Sequence, residues 1–173
     1  MAFRFEKFLV KKALESSYIK ELKDRPKELT SYWDTEIEGL FGIPDLVIFY
    51  TDPEAVFEKR FVTIAFEMKL SKWEKALGQA YRYKSFANKS YVMMDNAHIS
   101  PPLRNITRFQ KANIGLLSID DSGKVTSFFE PEYRSPFSPW IERVFLRIVF
   151  HQEHNRLFPL YFDNLRLKEA YLI

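Results

Sequence analysis

The sequence predicts a single α/β domain: a central mixed β-sheet flanked by helices, followed by a C-terminal helical tail. Two observations carry this. Residues 45–50 and 60–69 are nearly continuous apolar runs, the pattern of strands covered on both faces. Residues 5–23 and 71–87 instead repeat their apolar side chains with helical period, as helices packed against such a sheet do.

The first helix is predicted over Phe5 to Lys23, because Phe5, Phe8, Leu9, Tyr18, Ile19 and Leu22 fall on one half of a 3.6-residue wheel. Glu15 lies inside that stripe and Glu6 opposite it. The plain explanation for Glu15 is a marginal carboxylate that snorkels to water or pairs with Lys12. Beyond Pro26 the chain becomes extended, and Tyr32 to Glu38 alternates polar and apolar as a half-exposed strand. A turn at Gly39 to Gly42 leads into the strand at 45–50, and Thr51-Asp52-Pro53-Glu54 reads as the turn before the strand at 60–69.

Ser71-Lys72-Trp73-Glu74 has the form of a capping box opening a helix to about Ala87. Trp73, Ala76, Leu77, Ala80 and Ala87 form its packing stripe, with Gln79 and Tyr83 on a neighbouring face. A short strand at Ser90 to Met94, a helix opened by Ser100-Pro101 and a strand at Ile114 to Ile119 follow. Asp120 to Gly123 then turns the chain into Lys124 to Phe129. Prolines 131, 136 and 139 divide a core, residues 1–130, from an extension, residues 131–173, in which Trp140 to about Glu153 reads as an apolar helix. The extension is too short to fold alone and is expected to pack on the core or on a partner.

At 173 residues the chain suits one domain, and its 17 Phe, 9 Tyr and 3 Trp against 5 Gly indicate a folded protein with little linker. The absence of cysteine excludes disulfides, thiolate metal sites and a cysteine nucleophile, so any metal is held by oxygen or by the three histidines. Charges in the first seven residues and the lack of a long apolar stretch predict a cytoplasmic protein with no membrane association. The net charge of +3 permits nucleic-acid binding without arguing for it.

Strand parity picks out the chemistry. Side chains alternate across a strand, so Glu67 and Lys69 share one face while Met68 joins Ile64 and Phe66 on the other. Opposite charges at the end of an apolar strand need a partner or a task, because unpaired buried charge is costly. Asp45, on the preceding strand, is the natural companion. The three outline a metal site, or else a buried ion cluster without catalysis.

Pro44-Asp45, Glu67-Met68-Lys69 and the pair Gln79 and Tyr83 resemble the PD, (D/E)xK and QxxxY elements of the PD-(D/E)xK nuclease superfamily, which has the restriction-endonuclease-like fold. The resemblance spans roughly residues 5–95, with a weaker echo through 114–119. It implies a nuclease that hydrolyses phosphodiester bonds in DNA, endonucleolytically, with Mg²⁺ or Mn²⁺; RNA is the less expected substrate. By that resemblance Asp45, Glu67 and the Met68 carbonyl hold the metal. Lys69 orients or deprotonates the attacking water, or stabilises the transition state, and Gln79 lies near metal and substrate. Glu15 is the expected additional acid from the first helix, with Glu36 as its rival. Tyr83 is divided between packing and function.

Arg104, Arg108 and Lys111 on one predicted helix, and Arg143, Arg147 and His151 on another, form rows that could touch phosphates or merely face solvent. His98, His151 and His154 have no metal-site spacing with an acidic partner. A homodimer, or a helicase or specificity subunit, would be the natural protein partner. The alternative on the same fold is a catalytically silent or partner-dependent DNA-binding protein.

Overall fold

The computed structural model describes residues 5–23, 30–33, 42–51 and 61–152. Their centre is a six-stranded mixed sheet in which spatial order follows chain order. The strands are β1 (Thr30–Trp33), β2 (Leu46–Thr51), β3 (Phe61–Lys69), β4 (Lys89–Asp95), β5 (Gly115–Ile119) and β6 (Val125–Phe129). Pairings β1/β2, β2/β3 and β5/β6 are antiparallel, whereas β3/β4 and β4/β5 are parallel. Parallel neighbours need crossovers. The first is helix α3 (Trp73–Tyr83), and the second contains α4 (Ser100–Arg104) and α5 (Ile106–Ala112).

Helices cover both faces of the sheet, as the apolar runs require. Ile64, Phe66 and Met68 of β3 pack with Leu9, Ala13, Ile19 and Leu22 of the N-terminal helices, while Ala65 faces Ala76, Ala80 and Tyr83 of α3. Met68 thus lies on the face that strand parity assigned to it. Each fully buried Leu, Ile, Phe or Met among them contributes about 1.5–3 kcal/mol relative to exposure. Helix α6 (Pro139–Gln152) joins the α3 face through Phe145, whose ring lies 5.1 Å from that of Phe86 and 6.4 Å from that of Phe49. The extension therefore packs on the core as far as it is described. No helix among the described residues is long and apolar enough to cross a membrane.

Three helices differ from expectation. The predicted helix over 5–23 is two, α1 (Glu6–Glu15) and α2 (Ser17–Lys23), because Ser16 is extended at ψ 150°. Its hydroxyl donates to the Ala13 carbonyl at 2.6 Å and accepts the Ile19 N–H at 3.3 Å, closing one helix and capping the next. The capping box at Ser71 does not form: α3 begins after Lys72 without a side-chain cap, and Glu74 instead binds Arg108 at 3.0 Å. The helix also ends at Tyr83 rather than near Ala87. The helix expected after Ser100 breaks at Asn105, whose side-chain amide donates to the Pro101 carbonyl at 2.9 Å. The residues 34–38 expected to continue the strand, most of the turn expected at 39–42, the turn expected at 52–54 and everything beyond 152 lie outside the described residues.

Gly115 opens β5 under the Tyr91 ring, which stacks on Phe66 with centroids 5.0 Å apart. A Cβ at this position would overlap that ring and touch Pro131 at 3.0 Å. Gly115→Ala is expected to lower stability by about 1–3 kcal/mol through overpacking. Urea unfolding checks this, and an unchanged midpoint would show that the ring yields freely.

Candidate active site

The carboxyl end of β3 carries the cluster, in a sheet where β3 is hydrogen-bonded on both sides. Asp45 stands just before β2. Its N–H donates to the Phe66 carbonyl at 3.0 Å, and its Oδ2 accepts the Met68 N–H at 2.6 Å. The carboxylate thus takes a β3 donor that faces β2 just where the β2/β3 ladder ends. The approach to Asp45 depends on Gly42, at φ 88°, where a Cβ would press on the Tyr83 ring at 3.0 Å.

Glu67 is 1% exposed, and both its oxygens are engaged. Oε1 lies 2.9 Å from Lys69 Nζ, and Oε2 lies 2.5 Å from the Tyr83 hydroxyl, which also sits 3.0 Å from the Ile43 carbonyl oxygen. The Lys69 ammonium has three donors. It meets Glu67 at 2.9 Å, Glu6 Oε2 at 3.3 Å and the Met68 carbonyl at 3.3 Å, with Asp45 Oδ2 at 4.0 Å. Three carboxylates therefore surround one ammonium.

The electrostatics follow from that imbalance. Burial raises the Asp45 carboxyl to about 6, helped by Glu67 and Glu6 and opposed by the Met68 N–H and Lys69. Burial works to lower Lys69, but Glu67, Asp45 and Glu6 together lift it above the ordinary lysine range, so it stays an ammonium. Burial, then Glu67, raises the Tyr83 phenol, which remains a donor. Because the folded Asp45 value lies above the unfolded one, its contribution to stability is full below about pH 4 and is lost as pH rises through about 6. Wild type is expected to lose stability over that window relative to Asp45→Asn, and urea midpoints measured from pH 3.5 to 7.5 check it. Parallel pH curves would contradict the shift.

The donor set suits a hard divalent cation. Asp45, Glu67 and the Met68 carbonyl offer only oxygen, and all three lie within 4.0 Å of the point held by Lys69 Nζ. Among the described residues no group of three or more acidic or histidine side chains has metal-holding geometry, so backbone oxygen would have to complete the set.

No protein-family model matches the chain, and no curated protein or solved structure matches it significantly.

Of the residues singled out from sequence, Asp45, Glu67, Met68 and Lys69 are brought together, and Tyr83 joins them while fully buried. Gln79 lies one helical turn before Tyr83, and its Oε1 is buried without a hydrogen-bond partner. Glu15 is not brought to the cluster. It is half exposed, 4.0 Å from Lys12, beside the β5–β6 turn at Ser122 to Lys124. Glu36 lies outside the described residues.

The acid that α1 does deliver is Glu6, which the wheel had placed on the outside. Two half-exposed phenylalanines, Phe5 and Phe8, pulled that wheel away from the true core face, and the break at Ser16 removed α2 from its register. Leu9 and Ala13 are the buried positions of α1, and Glu6 precedes them by three and seven residues on the same stripe. That spacing was the available signal. Of the basic residues, Arg108 is committed to Glu74 and stacks over Trp73 at 4.9 Å; Arg104, Lys111, Arg143 and Arg147 are exposed, and so is His98.

Proposed function

We propose that this protein is a metal-dependent nuclease of the PD-(D/E)xK type, hydrolysing phosphodiester bonds in DNA. The observation that carries the reading is the convergence of Asp45, Glu67 and Lys69, with the Met68 carbonyl, at the carboxyl end of one central strand. The order of helix, three strands, helix and strand agrees with it. So does the Tyr83 contact with Glu67, since Tyr83 belongs to the QxxxY-like pair. Asp45, Glu67 and the Met68 carbonyl would hold Mg²⁺ or Mn²⁺. Such an ion acidifies its bound water and offsets charge developing on the phosphate. Lys69 would position the attacking water or stabilise the pentavalent phosphate, and Glu6 would take the role that the sequence suggested for Glu15. The buried Gln79 acceptor would pair with water or substrate.

A second reading, a silent or partner-dependent DNA-binding protein, draws on one observation: no three metal-type side chains stand in metal-holding geometry among the described residues. Labelled linear, circular, single-stranded and branched DNA, incubated with Mg²⁺ or Mn²⁺, separates the two. Metal-dependent cutting supports the nuclease, and the preferred substrate assigns its class. Binding without cutting under every metal favours the second reading, and cutting that begins only when a helicase is added identifies the partner-dependent form.

A further inference from the structure

We propose that Lys69 is an internal counter-ion that must leave the acidic cluster before a divalent cation can enter it, so the free protein resists idle metal loading. The inference rests on the nuclease reading and adds an obligatory exchange to it. The Lys69 ammonium makes its close contacts with Glu67 Oε1, Glu6 Oε2 and the Met68 carbonyl, and keeps Asp45 at 4.0 Å. All three oxygen groups that would hold the cation are among these. Magnesium draws its oxygen ligands to about 2.0–2.1 Å, which leaves no room for an ammonium at the same centre.

Glu67 offers no way round the exchange. Its Oε2 is engaged by Tyr83, so Oε1, the oxygen bound to Lys69, is the one that has to change partners. Glu6 poses little barrier, because its side chain is 49% exposed and water can replace the ammonium there. The exchange therefore turns on Lys69, which is 13% exposed and held by the two carboxylates and one carbonyl. Once released, its ammonium is free to meet the phosphate beside the same centre. Admission of the cation and delivery of the lysine to substrate then become one event.

Calorimetric titration of Mn²⁺ into the wild-type protein, Lys69→Met, Asp45→Asn and the Lys69→Met/Asp45→Asn double variant tests this without reading activity. Lys69→Met is expected to bind at least tenfold more tightly than wild type, and the double variant to lose that gain. Binding by Lys69→Met no tighter than wild type, with Asp45→Asn still weakening it, would overturn the exchange and leave the metal site standing. No binding by wild type or Lys69→Met would remove the site, and the nuclease reading with it. Should Lys69→Met fail to fold, ¹⁵N-lysine NMR of the wild type decides the matter. The exchange requires the Lys69 ammonium signal to shift when Mg²⁺ saturates the protein, and an unmoved signal at saturation overturns it.

Discussion

Asp45→Asn is expected to lower metal-dependent cleavage by about 10³-fold while making the protein more stable at neutral pH. The two effects have one cause. Burial and the neighbouring acids hold the Asp45 carboxyl at about 6, so above that pH the folded protein carries a charge it disfavours. The rise from about 4 to about 6 corresponds to roughly 3 kcal/mol, an upper bound on what asparagine could recover. Asparagine also keeps an oxygen for the Met68 N–H, which Asp45 accepts at 2.6 Å. A stabilising substitution that removes activity indicates that the carboxylate is kept for chemistry. Gel-based cleavage and urea unfolding at pH 7.5 read both quantities. Full cleavage by the variant would deny Asp45 its metal role, and a loss of more than about 1 kcal/mol would contradict the cost assigned to its charge.

Lys69→Ala is expected to be equally inactive but strongly destabilised. It strands Glu67, 1% exposed, without its cation, and breaking a buried ion pair in this way costs about 3–5 kcal/mol. In a domain of this size each kcal/mol moves the melting temperature by about 2–4 °C. Adding Glu67→Gln to Lys69→Ala is expected to restore much of the loss, because the stranded charge is then gone. Thermal melts of the two single variants and the double variant measure the coupling. Purely additive melting shifts would show that the pair is energetically independent.

The sheet was legible because its signals are local and redundant. Continuous apolar runs marked β2 and β3, and period-two alternation put Glu67 and Lys69 on the face opposite Met68. Asp45 was legible for the same reason, as the polar start of an apolar strand. The helices were less so, because a wheel assumes an unbroken register and buried apolar residues. Ser16 breaks the register, and Phe5 and Phe8 are half exposed, so the wheel points to Glu15 where the structure brings Glu6 to the cluster. The missing cap of α3 was illegible for another reason. Glu74 meets Arg108, 34 positions away, and no local pattern announces a partner at that separation.

One contact bears on how the cluster keeps its dimensions. The Tyr83 hydroxyl touches both Glu67 and the carbonyl of Ile43, two residues ahead of Asp45. A single atom on α3 is thus a common reference for the two segments that carry the acids. A displacement of α3 against the sheet would act on both segments through that one hydroxyl. If Asp45 and Glu67 share one small ion, as proposed, their separation matters more than their absolute position. On that reading, the phenol refers both acids to one atom of α3.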